Sequence, residues 1–211
     1  MGTRDSYDEI AEDYAARFGA ELRDKPLDRA LLRVFSDDVG DEALVADIGC
    51  GPGHVAWYLQ HLGCRVTGVD LAPRMIEVAA AAHEDIEFRT GDMRALEVED
   101  GAWGGIVALY SIIHLPAAEL PAAFGEFHRT LRPGGLLLVS FHVGDEVLHL
   151  DDMLGHPVDL DFHFFERPRI ETLLTAAGFL IDAAVERRAY PSEVETTRAY
   201  LLARKPDGLR A

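Results

Sequence analysis

The chain contains no asparagine, two cysteines, lysine only at Lys25 and Lys205, and no apolar run of membrane-spanning length. Basic residues as a whole are scarce: 20 Lys and Arg stand against 37 Asp and Glu, a net charge of −17. Each shortage excludes something. A phosphate backbone needs a Lys/Arg surface, so nucleic acid is not an expected partner, and an anionic membrane surface fails on the same ground. Cys50 lies in a glycine turn and Cys64 opens an expected strand, positions that suit free thiols in a reducing cytoplasm better than a disulfide. The charged start, Asp5 to Asp13, does not read as a signal peptide, and nothing reads as a membrane helix. Arginine greatly outnumbers lysine, a bias compatible with a GC-rich bacterial genome. The expectation is a bacterial, cytoplasmic protein, monomeric or homodimeric.

With 211 residues, 48% of them hydrophobic, the chain suffices for one domain over 1–211 with a full core. No repeat or linker interrupts it. Tyr7, Ile10, Ala11, Tyr14 and Phe18 recur at helical spacing, as do Leu27, Leu31, Val34 and Phe35, so two covering helices are expected over 1–38. Apolar runs then alternate with amphipathic segments. Strands are expected near 43–48, 64–69, 85–89, 104–109 and 135–141, and helices near 53–62, 73–82, 117–131 and 167–177. That alternation predicts an α/β fold with a mostly parallel sheet covered on both faces. Strand candidates 179–186 and 198–204, joined by a short proline-bearing connection, should pair as an antiparallel hairpin. Segment 143–165 shows no clear period and is rich in His and Asp, which predicts an irregular lid or substrate-binding segment.

The densest signal is Val45-Ala46-Asp47-Ile48-Gly49-Cys50-Gly51-Pro52-Gly53, followed by Asp70 at the end of Val66-Thr67-Gly68-Val69-Asp70. An apolar strand enters a glycine turn and a helix, and a second strand ends in a carboxylate able to accept from a ribose diol. Glycines let the backbone approach a ligand, and the helix start is expected to aim its amides there. The third glycine comes one residue early for a dinucleotide fingerprint, and Asp47 would repel a pyrophosphate. S-adenosyl-L-methionine (SAM) has no phosphate and carries a cationic sulfonium and ammonium, so the charge logic favours this methyl donor over NAD(P).

These parts, followed in order by Gly91-Asp92-Met93, Tyr110-Ser111-Ile112-Ile113-His114-Leu115 and Leu131-Arg132-Pro133-Gly134-Gly135, resemble the class I SAM-dependent methyltransferases, in particular the small-molecule branch called type 11 or 12. The resemblance runs from Tyr7-Asp8-x-x-Ala11-x-x-Tyr14 to Tyr200-Leu201-Leu202-Ala203-Arg204. It implies a Rossmann-like three-layer sandwich whose seven-stranded, mostly parallel sheet has an antiparallel last strand. It further implies that Gly49 and Gly51 lie against the methionine moiety, within the Asp47–Gly53 loop, and that Asp70 holds both ribose hydroxyls. Asp92, after Gly91, would accept from the adenine amino group, with the Met93 backbone at the ring edge and Leu71 and Met75 packed on adenine. The Tyr110 backbone, next to Ser111, would face the ammonium, and Tyr7 and Tyr14 would cover the cleft.

Methyl transfer needs in-line approach and exclusion of water, and needs a base only where the acceptor must lose a proton. Ligands in such sheets bind beyond the carboxyl ends of the strands, which makes His114 the first candidate base. Tyr14 from the covering helix, and His163 and Glu166 from the far end of the lid, are the further catalytic candidates. His142, His149, His156 and His163 recur every seven residues, but this spacing supplies no close ligand pair, so no metal is expected. The expected activity is methylation of an O, N or C atom of a small metabolite, giving S-adenosyl-L-homocysteine. A catalytically inert SAM-binding regulatory module is the alternative, because the same pocket would serve it.

Overall fold

The computed structural model describes residues 2–40 and 43–208; Met1 and 209–211, the ends of the expected 1–211 domain, lie outside the described residues, as do 41–42. Helix α1 (Thr3–Phe18), a 3-10 turn (Glu21–Asp24) and α2 (Pro26–Val39) precede the sheet. There follow β1 (Leu44–Ile48), α3 (His54–His61), β2 (Arg65–Asp70), α4 (Pro73–Ala82), β3 (Glu87–Thr90) and β4 (Trp103–Leu109). A second 3-10 turn (Ile112–His114) leads to α5 (Leu120–Thr130) and β5 (Leu131–His142). The chain continues through β6 (Val147–Met153), β7 (His156–His163), α6 (Arg167–Ala176), β8 (Leu180–Arg187) and β9 (Arg198–Arg204). Proline in the first turn of α2, α4, α5 and α6 starts each helix where no backbone hydrogen bond is lost.

Seven strands form one sheet in the order β3-β2-β1-β4-β5-β9-β8, and β9 alone runs antiparallel to its neighbours β5 and β8. The sheet is covered on both faces, and strand periodicity sorts its side chains between two cores. Ile106, Ala108, Leu137, Val139 and Leu201 join Phe124, Phe127, Ile170 and Leu174 of α5 and α6. The alternate residues Val107, Leu136, Leu138 and Leu202 join Leu32, Phe35, Val55 and Leu59 of α2 and α3. Burial on both faces explains why β1, β4 and β5 read as continuous apolar runs. The chain reverses its direction of growth between β1 and β4, which places a crevice beyond their carboxyl ends.

Segment 143–165 departs from expectation. It is a two-stranded antiparallel ribbon, β6 with β7, and not an irregular stretch. A two-residue turn closes it at Leu154-Gly155, both with positive φ (58° and 82°), the geometry of a type I′ hairpin turn. Leucine is an unusual first residue for such a turn, and a register shift between Leu150 and Asp152 breaks the alternation, so both hairpin signals were disguised. The ribbon packs on α1: Val158 and Leu160 meet Ile10, while the Asp159 N–H donates to buried Ser6 Oγ at 2.9 Å. Helix α1 also packs on α4, where Asp8 accepts from the Arg74 N–H.

Candidate functional site

The turn after β1 is shaped by steric necessity. Gly49 has φ 72°, and a Cβ there would stand 2.3 Å from the Ser111 Cβ, so the β1 and β4 ends approach as closely as they do only with glycine. The loop amides are used internally: Gly49 and Cys50 donate to the Val69 carbonyl, Gly53 to that of Cys50, and Gly51 to Asp70 Oδ2 at 2.8 Å. Asp47, 2% exposed, takes the Ala56 N–H at the start of α3 (3.0 Å). These loop amides, and that of Ala56, are thus turned inward. The loop offers those groups to Val69, Cys50, Asp47 and Asp70 rather than to an anion, and Asp47 sits where a phosphate would be repelled.

Asp70 is held by two backbone donors, Gly51 and Ala72 (2.9 Å), one on each oxygen, which leaves further acceptor capacity on both. Burial raises its pKa above the ordinary carboxylate value. Burial pushes Asp47 up further, to about 7, against the opposing influence of His54.

Asp47, Gly49, Gly51, Asp70, Leu71, Met75, Tyr110, Ser111, Tyr7, Tyr14 and His114 line one cavity. Gly53, Gly91, Asp92 and Met93 do not border it. Gly53 precedes α3 in a left-handed conformation, and the Gly91 N–H donates to the Asp70 carbonyl. Both oxygens of Asp92 are engaged by the Arg94 guanidinium, whose hydrogen bonds lower the Asp92 pKa, and Met93 packs against the core. The cavity is also bordered by Glu21, Lys25 and Asp28, which sequence reasoning did not select. A Glu-Lys pair four apart is an ordinary helix-surface pattern, and only the fold turns it inward.

His114 is fixed at both ring nitrogens. Nδ1 lies 3.2 Å from the Asp161 carbonyl of β7, which can only accept, so Nδ1 carries the proton. Nε2 therefore accepts from the Tyr7 hydroxyl at 2.9 Å. Burial lowers the His114 pKa to about 4, and burial raises that of Tyr7, so both are neutral near pH 7. Tyr110, at the end of β4 with φ 53°, donates its hydroxyl to Tyr200 (2.6 Å), which donates to buried Asp28 (2.8 Å). Backbone strain of this kind persists only where surrounding contacts hold it.

A second cavity shares Tyr7, Tyr14, Glu21, Lys25, Tyr110 and His114 with the first. Its other walls are the β6–β7 ribbon (Leu148, Leu150, Met153, Phe162), Phe164, His142 and the segment 192–198. His163 and Glu166 border neither cavity; His163 stacks on Phe165, and Glu166 is exposed at the start of α6. The evenly spaced histidines disperse: His142 pairs with Thr196, His149 with Asp161, and His156 with Asp13. Among the described residues no group of three or more His, Cys, Asp or Glu is placed to hold a metal ion, and no helix is long and apolar enough to cross a membrane.

Known proteins share this architecture. A family described as "Methyltransferase domain" matches residues 45–135. A malonyl-[acyl-carrier protein] O-methyltransferase from Serratia marcescens is 33% identical over 172 residues, 80% of this chain and 66% of that protein. A SAM-dependent Diels-Alderase from Talaromyces variabilis is 34% identical over 123 residues, 52% of this chain and 41% of that one. The chain thus spans about two thirds or less of the curated relatives it matches. The crystal structure of a SAM-dependent methyltransferase from Methanosarcina mazei superposes with a TM-score of 0.75 at 19% identity, over 83% of this chain and 98% of that one. Sequence motifs in order, sheet topology and these relatives agree: the chain belongs to the class I SAM-dependent methyltransferase family.

Proposed function

We propose that the protein, folded as one domain, transfers the methyl group of SAM to an oxygen, nitrogen or carbon atom of a small molecule, leaving S-adenosyl-L-homocysteine. The shared wall carries this reading. Tyr7, Tyr14, Glu21, Lys25, Tyr110 and His114 border both cavities, so a group held in the first is presented to a molecule in the second.

The first cavity fits the cofactor on its own chemistry. Asp70 keeps acceptor capacity for the ribose hydroxyls, and Leu71 and Met75 offer apolar surface to adenine. Gly49 and Gly51 leave room for the methionine moiety, and buried Ser111 Oγ has no protein partner. Asp47 brings negative charge toward the cationic end. When bound there, SAM supplies an electrophilic methyl group. The chain's own contribution is orientation, dryness and a proton acceptor. His114 Nε2, with its tautomer set by the Asp161 carbonyl, is that acceptor, reached through the Tyr7 hydroxyl. A base of such low pKa takes the proton only as methylation makes the acceptor atom acidic. The β6–β7 ribbon and α1 act together as the lid, and Tyr14 shields the junction.

The test is incubation with methyl-labelled SAM and a cell extract, followed by fractionation of the label. Label in a small molecule supports transfer. No label in any fraction, with SAM binding shown by calorimetry, refutes it. The similarity to a SAM-dependent Diels-Alderase supports a second reading, a protein that keeps SAM without spending its methyl group. An inert regulatory module would also bind without transferring.

A further inference from the structure

The second cavity indicates which kind of molecule it receives, an inference that rests on the methyl-transfer reading above. Its wall nearest the cofactor junction is a run of rings. Tyr110 borders both cavities; His142 lies 5.4 Å from it, centroid to centroid, with planes 37° apart. Phe164 follows 5.1 Å from His142 at 24°. Phe162, also on this cavity, meets the His114 ring edge-on at 4.8 Å. His142 and Phe164 are stacked and Tyr110 is tilted against them, and exposed ring faces at such spacings offer offset stacking to a further flat ring entering beside them. His142 is uncharged at neutral pH, because burial, and after it the nearby Arg198 guanidinium, hold its pKa down to about 4.

Charge complements shape. Each buried ion on this cavity already has a counter-ion: Lys25 lies 2.8 Å from Glu21 and 3.6 Å from Glu193, and Arg198 lies 3.3 Å from Glu193. The other two ionic residues on it, Arg17 and Asp24, are exposed at the rim. A charged group carried to the interior would therefore lose water and find no free opposite charge. An uncharged one loses nothing of the kind.

We propose that the second cavity takes a flat, uncharged aromatic acceptor, stacked along Tyr110, His142 and Phe164 with its reacting group toward Tyr7 and His114. Zwitterionic, carboxylate-bearing and purely aliphatic molecules of the same ring size bind there more weakly.

Three probes of one size test this on the protein saturated with S-adenosyl-L-homocysteine: 2-naphthol, its carboxylate analogue 6-hydroxy-2-naphthoate, and the saturated decahydro-2-naphthol. Calorimetry should show 2-naphthol binding tightest. The saturated probe should bind about two- to ten-fold more weakly, the loss of ring stacking, and the carboxylate at least about ten-fold more weakly. Phe164→Leu should reduce 2-naphthol affinity about two- to ten-fold and leave the affinity for S-adenosyl-L-homocysteine unchanged, which also shows the variant folded. Equal or tighter binding of the carboxylate or the saturated probe, no binding of 2-naphthol, or an unaffected Phe164→Leu variant each overturns the proposal. Failure of the wild-type protein to bind S-adenosyl-L-homocysteine would instead overturn the methyl-transfer reading on which it stands.

Discussion

Asp47 opposes folding at neutral pH, and the size of that opposition can be measured. Its carboxyl is 2% exposed with one backbone donor, the Ala56 N–H, and burial pushes its pKa to about 7. An unfolded Asp titrates near 4. Between those values the folded chain holds a proton that the unfolded chain has released, so stability falls as pH rises. The penalty is complete above about pH 7 and amounts to about 4 kcal/mol. Asp47→Asn keeps an acceptor for Ala56 and removes the titration. The stability of the variant minus that of the wild type should grow by about 2–3 kcal/mol between about pH 5 and about pH 8. Denaturant unfolding of both proteins across that range measures it. The comparison must be a difference, because His114 and His142, lowered to about 4, make stability rise with pH between about 4 and 6.5 in both proteins. His54 and Asp70, the titratable neighbours of Asp47, also remain in both. With saturating SAM the growth should shrink, since a bound cation favours the ionised carboxyl and expels the proton on binding. A pH-independent difference between variant and wild type would refute the reasoning.

Three further outcomes follow from the same geometry. Asp70→Ala removes the acceptor for the ribose diol and should lower SAM affinity at least about 100-fold by calorimetry; unchanged affinity would remove Asp70 from the site. Gly49→Ala places a methyl group against Ser111 at positive φ and should lower stability by about 1–3 kcal/mol or more in denaturant unfolding, with loss of SAM binding; a neutral variant would mean that the β1 and β4 ends can separate freely. His114→Ala should slow turnover far more than it weakens SAM binding, and wild-type turnover should fall only as pH drops toward about 4; equal effects on both would make His114 structural.

The fold was largely legible because it rests on local patterns. Helix 73–82 was expected with the bounds it has, and the terminal hairpin, the alternation of elements and the buried central strands followed from periodicity and turn chemistry. The glycine turn of the candidate site was legible for the same reason: the close approach at Gly49 and the carboxylate ending β2 are written in contiguous residues. Other features depend on distant parts of the chain. The pairing of Asp92 with Arg94, and the use of the loop amides by Val69 and Asp70, could not be read from the motif. Nothing local marked Lys25 as part of the site, because the fold sets it beside Glu193, far along the chain. The proton position on His114 was settled by a carbonyl 47 residues away, on a ribbon whose turn carries leucine in place of the usual signal. Backbone conformation and burial periodicity are set by neighbours along the chain, so the sequence alone determined the sheet, its covering helices and the glycine turn that faces Asp70. Partnering of polar groups and the walls of the second cavity depend on which distant segments meet, and only the tertiary structure decided them.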